Sequence, residues 1–528
     1  MTGRGGGMTG RPLRIVVVGY GPVAARFVEE LLPAVEEGTV ALTVVGAETE
    51  DAYNRVLVAE YAVGAADRDR LDVTDTEAAR AAGVDIRLGA TAVGLDRLKQ
   101  RIVLAGGEEL PYDRLVLATG ARAHVPTLGG LERSRRSRGD APTPEPDRAE
   151  RPLPSGVVAL RDLADARVVT PVVESAGTVV VLGAGVLGME FALLAAERGA
   201  QVFVVHHGAA PMARNLDADG GRMLTRAARA RGVAMVAHAR AESVSLRADA
   251  DGEPEFDGLI CADGTYVPGD LLVLSCGVGA RTELAHAAGL ACSAGILVDE
   301  ELRSWTDPDV FAIGDCAQVA LRESVDAGGR VPGAPSGLIG PGWRQAAALA
   351  ARLSAEARGV SFLGGTTAIA ERPAAVMLKA EGVDVVAGGD ASTDAWDADA
   401  EVSTWIDRAR GAYLKTVVRD GALAGFVTVG LPRAGSELTL LFERAASLPA
   451  EPAALLRLDA PDAEAAAPTD PAGPEATVCW CNGVTAGRIT DAIAAGSDSV
   501  ECVGKDTRAG TGCGGCRGRI AALLAAAG

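Results

Sequence analysis

The sequence predicts an α/β protein: two strand–glycine–helix units of the kind that build parallel sheets, then a small α+β domain, then a small cysteine-bearing C-terminal module. Three observations carry that prediction. The runs "RIVVVGYGPVAARFVEELL" and "TVVVLGAGVLGMEFALLAAE" each pass from a β-branched strand through closely spaced glycines into a helical pattern. After residue 350 the pattern changes to short alternating strands and one helix. Four of the nine cysteines fall at the end, as Cys479, Cys481, Cys513 and Cys516.

Composition narrows the function classes. The chain has 528 residues, 48% of them hydrophobic, enough for several cores at about 100–200 residues per domain. Its net charge of −19, with no long Lys/Arg run, excludes nucleic acid and an anionic membrane surface as partners. The leader "MTGRGGGMTGRPLR" runs into an apolar stretch broken at once by glycines, unlike a signal peptide. The apolar run "TVVVLGAGVLGM" meets Glu190 before reaching the roughly 20 residues a bilayer span needs. These features predict a cytoplasmic protein, in which paired cysteines serve as metal ligands or redox groups rather than structural disulfides.

The first unit places Gly19 and Gly21 between strand and helix, where the backbone turns tightly and the helix N-terminus favours a pyrophosphate. Ala24 stands at the third glycine position. The next strand, "ALTVVGAE", ends at Glu48, a carboxylate placed to accept from a ribose. One such fingerprint also describes a plain βα turn. The second unit fills all three positions with Gly183, Gly185 and Gly188, and two fingerprints in one chain point to two dinucleotide sites. Between and after them, "YDRLVLATGARAHVP" and "VFAIGDCAQ" end apolar strands in turns carrying Thr119 and Asp315. Each also fits a simple strand terminus with a capping residue.

In this order the four motifs resemble the two-dinucleotide-binding-domain flavoprotein reductases, in which a Rossmann-like FAD domain is interrupted by an inserted Rossmann-like NAD(P)H domain. The resemblance covers residues 12–350. It implies FAD contacts from Gly19, Gly21, Glu48, Thr119 and Asp315, with Asp315 on the ribityl chain. Arg55, in the stretch "AYNR", is implied as a further FAD contact, against a solvated arginine on a loop. Gly183, Gly185 and Gly188 are implied to hold NAD(P)H, with Glu190 beside the nicotinamide; the alternative for Glu190 is a helix-surface carboxylate. The implied layout is an FAD domain over 12–131 and 281–350, with an NAD(P)H domain over 155–280. Disulfide reductases of this fold carry a redox cysteine pair soon after the first glycine loop, and this chain has no cysteine before Cys261. A thiol relay is therefore not expected, and Cys261, Cys276, Cys292 and Cys316 read as small buried hydrophobes.

Residues 132–154, with six arginines, five prolines and one leucine, cannot bury enough apolar area to offset their ordering entropy. They are expected to form a disordered surface loop, or else a basic docking site. In the 351–458 region, "AYLKTVV", Asp420-Gly421 and "ALAGFVTVG" predict a hairpin. That region resembles the α+β domain following the flavin domains in nitrite reductase large subunits and assimilatory nitrate reductase electron-transfer subunits. Residues 459–476 read as an Ala/Pro linker.

The C-x-C and C-x-x-C pairs, thirty-one residues apart (482–512), meet the tetrathiolate requirement of either zinc or an iron–sulfur cluster. Spacing alone leaves both open. "VCWCNGVTAGRITDAI" and "DTRAGTGCGGCRGRI" resemble the bacterioferritin-associated-ferredoxin-like domain over 477–528. That resemblance implies a 2Fe-2S cluster on Cys479, Cys481, Cys513 and Cys516. Cys502 falls outside both pairs and reads as a packed thiol. The implied activity is oxidation of NAD(P)H at FAD, with electrons leaving through the cluster to a partner reductase. The implied partner is the molybdenum-dependent catalytic subunit of assimilatory nitrate reductase, or a nitrite reductase. With twelve residues after Cys516, the chain is not expected to reduce nitrite alone. The alternatives are a ferredoxin- or rubredoxin-type reductase, or a reductase whose terminal module is a regulatory or zinc-binding interaction domain.

Overall fold

A computed structural model describes residues 11–131, 153–326, 328–361, 375–380, 382–449, 454–457, 474, 477–479, 482–512 and 514–527. Cys481, Cys513, most of the 132–154 segment and nearly all of the 459–476 linker lie outside the described residues.

The first sheet has five parallel strands in the order Val310–Ala312, Arg114–Leu117, Leu13–Val18, Val40–Val45, Asp85–Arg87. Its edge strand comes from far along the chain, so the intervening residues form an insertion. The chain leaves through Ala121–Ala123 and returns through Val278–Ala280, and these two strands pair antiparallel where the two halves meet. The insertion carries a second parallel sheet, ordered Val233–Val236, Gln201–Val205, Thr178–Leu182, Leu271–Leu274, Val157–Val158. Both central strands are buried on both faces, which is why they read as unbroken valine-rich runs rather than alternating ones.

Helix Ile339–Ala357 lies along helix Pro22–Glu36. A Cβ on Gly342 would come within 2.6 Å of Val23 Cγ2, so the glycine permits the close approach. The expected boundary at 350 falls inside this single helix, whose Leu353 and Ala357 still pack on the first core. No glycine or proline between 350 and 357 was there to end it, and the change of sequence pattern comes later than the helix pattern does.

The third sheet is antiparallel, ordered Val376–Ala380, Val383–Gly389, Ala422–Val429, Ala412–Arg419, Glu401–Asp407. Asp420 and Gly421 both take positive φ, +51° and +76°, as a two-residue hairpin turn requires. One face packs on helix Pro432–Glu443, where Phe426 and Phe442 meet edge to face at 5.7 Å. The other contributes Tyr413, Val427 and Val429 to the core of the inserted domain. Helix Val186–Glu197 is caught between these layers and is buried nearly all round, Glu190 included.

The C-terminal module has its own small core. It comprises strands Thr477–Cys479 and Val484–Thr485 and helices Ala486–Ala494, Val500–Thr507 and Arg517–Ala527. No described helix is long and apolar enough to cross a membrane.

Candidate functional site

Both glycine loops open onto one cavity of about 890 Å³, lined by residues of the first domain, the insertion and the third sheet. Gly19 has φ +106°, and a Cβ there would sit 2.2 Å from the Ala118 carbonyl oxygen. Gly21 is the N-cap of helix Pro22–Glu36; no side chain caps that end, and Pro22 at the first turn removes one donor that would need a partner. Beyond the second strand, Glu48 forms an ion pair with Arg55 and accepts a 2.8 Å hydrogen bond from Tyr53 Oη. The Arg55 guanidinium lies 4.9 Å from the Tyr53 ring centroid. Glu48 and Arg55 both line the cavity, so Arg55 is a cavity-wall residue and not a solvated loop arginine.

Asp315 reaches the cavity from the strand Val310–Ala312 and pairs with Arg161 at 2.9 Å. Arg161 comes from the insertion. Its backbone N–H donates to Asp165, which with Asp162 forms the capping box of helix Leu163–Glu174. Arg161 Nε is buried and finds no partner among the described residues. Thr119 also lines the cavity, with its hydroxyl donating to the Arg281 carbonyl at 2.7 Å. The N-terminus of helix Ile339–Ala357 opens on the same space, again without a side-chain cap.

On the other wall, Gly183 repeats the geometry of Gly19: φ is +114°, and a Cβ would lie 2.2 Å from the Ser275 carbonyl oxygen. A Cβ on Gly188 would meet the Gly183 carbonyl at 2.3 Å, whereas one on Gly185 would meet nothing within 4 Å. Two of these glycines thus serve the protein's own packing, and Gly185 leaves space over an uncapped helix end. Glu190 lines the cavity and is only 6% exposed, which removes the helix-surface alternative. His206, just past the end of strand Gln201–Val205, is buried; desolvation, then the neighbouring His207 and His238, lowers its pKa, so it is neutral at pH 7.

Among the cysteines, Cys479 and Cys516 are both buried in the core of the C-terminal module. Asn482 ties the two cysteine-bearing segments together, donating to the Arg508 carbonyl at 2.6 Å and to Thr511 Oγ1 at 3.3 Å. Cys502 is exposed, contrary to the expected packed thiol. Helix Val500–Thr507 turns Val503, Gly504 and Thr507 inward and leaves Cys502 on the outer face. Cys261 and Cys316 are fully buried as expected, whereas Cys276 and Cys292 are only half-buried; desolvation still pushes the thiols of Cys276 and Cys292 up to about 11.

The first half fits FAD: a positive-φ glycine that packs on bare backbone, two uncapped helix ends, and a buried guanidinium nitrogen still wanting an acceptor. The second half offers the same cradle for a nicotinamide dinucleotide. The class so defined is an FAD-dependent NAD(P)H oxidoreductase with a 2Fe-2S module. The chain belongs to the pyridine nucleotide-disulphide oxidoreductase family, whose model matches residues 13–332, and residues 477–526 match the BFD-like 2Fe-2S binding domain.

Among its relatives is the assimilatory nitrate reductase electron transfer subunit of Bacillus subtilis (strain 168), 27% identical over 518 residues, 97% of this chain and 59% of the relative. Another is the nitrite reductase [NAD(P)H] large subunit of Klebsiella oxytoca, 30% identical over 517 residues, 97% of this chain and 48% of the relative. The chain thus spans about half the length of the curated relatives it matches. In fold it is similar to the covalent putidaredoxin reductase–putidaredoxin complex, with a TM-score of 0.66 and 22% identity, covering 84% of this chain and 95% of that one.

Proposed function

We propose that this protein oxidises NAD(P)H and delivers the electrons through its C-terminal module to a partner reductase, the molybdenum-dependent catalytic subunit of an assimilatory nitrate reductase. The carrying observation is that the two glycine cradles share one cavity, while the segment preceding Cys513 is hydrogen-bonded to Asn54, the neighbour of cavity-wall Arg55. FAD, when bound, would take an electron pair as one hydride and release the electrons singly, which is what joins a nicotinamide to a one-electron cluster.

The chain's own residues divide the work. Gly19 and Gly21 let the backbone approach a pyrophosphate at the helix N-terminus, and Glu48, held by Arg55 on one oxygen and Tyr53 on the other, would accept from the adenosine ribose. Asp315 would accept from the ribityl hydroxyls, with Arg161 paired to it in the cavity wall. Thr119 stays turned toward Arg281 and closes the wall. Gly183 and Gly188 shape the turn by packing on backbone, Gly185 would leave the room for the nicotinamide dinucleotide, and Glu190 would orient its carboxamide end from the buried helix. Cys479, Cys481, Cys513 and Cys516 hold the 2Fe-2S cluster.

The test is NADH-dependent nitrate reduction on mixing the purified protein with a separately purified molybdenum-dependent nitrate reductase. Coupled turnover supports the reading. Turnover with a free ferredoxin or rubredoxin, and none with the nitrate reductase, would favour a carrier reductase instead.

A further inference from the structure

The C-terminal module is seated on the first domain, and the residue that seats it adjoins the cavity wall. Asn54 is completely buried. Its Oδ1 accepts from Val56 N at 3.0 Å, capping the turn Arg55–Leu57. Its Nδ2 donates to the carbonyls of Thr511, at 3.0 Å, and Gly512, at 2.8 Å, the two residues that precede Cys513 in the chain. Both amide protons are thus committed to the cysteine segment, while the next residue, Arg55, faces the cavity. Asn482, which follows Cys481, holds the same 508–511 stretch from the module's side.

A second contact spans the seam: Arg508 reaches Glu29 at 2.6 Å. Arg508 stands at the C-terminal end of helix Val500–Thr507 in the left-handed conformation, φ +67°. Glu29 lies on helix Pro22–Glu36, the helix whose N-terminus opens on the cavity. These contacts join the module to the first domain directly, in addition to the covalent connection through residues 459–476.

We infer that Asn54 is a positioning residue for electron transfer: its amide fixes the segment that precedes Cys513 at a set distance from the flavin-facing wall. The inference rests on the proposed exit of electrons through the C-terminal module. Each NADH supplies two electrons, which pass one at a time to the oxidised cluster and on to the partner, while the proton is released to water. Tunnelling between two centres falls exponentially with their separation. Two hydrogen bonds from Asn54 and an ion pair therefore keep the module at short range, where a flexible tether alone would let it sample long separations.

The test compares parent, Asn54→Asp and Arg508→Gln as full-length holoprotein. Asn54→Asp keeps the acceptor for Val56 N and turns two donors into a carboxylate oxygen facing two carbonyls. Amide hydrogen exchange over residues 508–512 is expected to rise about ten- to a hundredfold, with FAD and iron content unchanged. After mixing with NADH, flavin bleaching should keep the parent rate while cluster reduction slows about tenfold or more. Arg508→Gln loosens the seam from the other side and carries the test if Asn54→Asp does not fold. Unchanged exchange over 508–512 would overturn the seat. Raised exchange with cluster reduction at the parent rate would overturn the positioning role. A parent whose cluster NADH never reduces would overturn the electron route itself, and the exchange result would still decide the seat.

Discussion

Gly19→Ala puts a single methyl where the structure has no room for it. The new Cβ would lie 2.2 Å from the Ala118 carbonyl oxygen, against the 3.0 Å that real Cβ atoms keep, so one backbone must move by 0.8 Å (3.0 − 2.2). Alanine at φ +106° adds about 1–3 kcal/mol of backbone strain. The displaced segment is tied on both sides, with Gly19 N–H on the Val45 carbonyl and Ala118 N–H on the Val18 carbonyl, each at 2.8 Å. The shift therefore misaligns the loop amides proposed to face the pyrophosphate. Losing one charge-assisted bond there costs about 1.5–3 kcal/mol, or roughly 10- to 100-fold in affinity. Titrating apoprotein with FAD by flavin fluorescence should show that rise in Kd, and apoprotein melting should fall by several degrees. Gly21→Ala is the control: its Cβ would meet only Arg55 Nε, at 3.9 Å, so it should weaken FAD binding without lowering apoprotein stability. A Gly19→Ala protein with FAD affinity within twofold of the parent would refute the reasoning.

Asp315→Ala should lower FAD occupancy in purified protein, since it also strands the Arg161 guanidinium; full flavin retention would remove Asp315 from the site. Glu190→Gln should cut kcat/KM for NADH by about tenfold and leave FAD content alone, and an unchanged NADH rate would move Glu190 out of the nicotinamide site. The neighbourhood past strand Gln201–Val205 offers His206-His207, neither a carboxylate for an NAD ribose nor an arginine for a 2′-phosphate, so NADH is the expected donor; a preference for NADPH above about a hundredfold would contradict this. His206 has a folded-state pKa below the unfolded value near 6.5, so the unfolded chain binds the extra proton first and stability is lost as pH falls from about 6.5 toward the lowered pKa. Melting curves between pH 7.5 and 5 should show that slope, and His206→Gln should flatten it.

The parts of the site that could be read in the sequence are those whose signal is local. Gly19, Gly21, Gly183, Gly185 and Gly188 follow strands of unbroken valine because each marks a turn within one βα unit, and Asp315 ends a strand of the same kind. Arg161 was missed because its importance is tertiary: it sits in the insertion and meets Asp315 only after the chain returns. The Asp162-x-x-Asp165 capping box was a usable signal, since it fixes the entry to a helix and hence where the preceding arginine points. Asn54, within "AYNR", carries no local signal, because its partners lie 457 and 458 residues away. Cys502 was misplaced for a related reason: hydrophobicity alone does not say which face of a short helix such as Val500–Thr507 turns inward.

The central claim is that electrons from NAD(P)H reach the C-terminal cysteines by way of the flavin. Rapid-freeze paramagnetic resonance after anaerobic mixing with NADH, run beside flavin absorbance on parent and Cys513→Ser, tests it most directly. The parent should bleach its flavin and then develop the signal of a reduced 2Fe-2S cluster; Cys513→Ser should bleach at close to the parent rate with that signal lost or shifted. A parent that bleaches its flavin while the signal never develops, or that carries stoichiometric zinc in place of iron, would contradict the account.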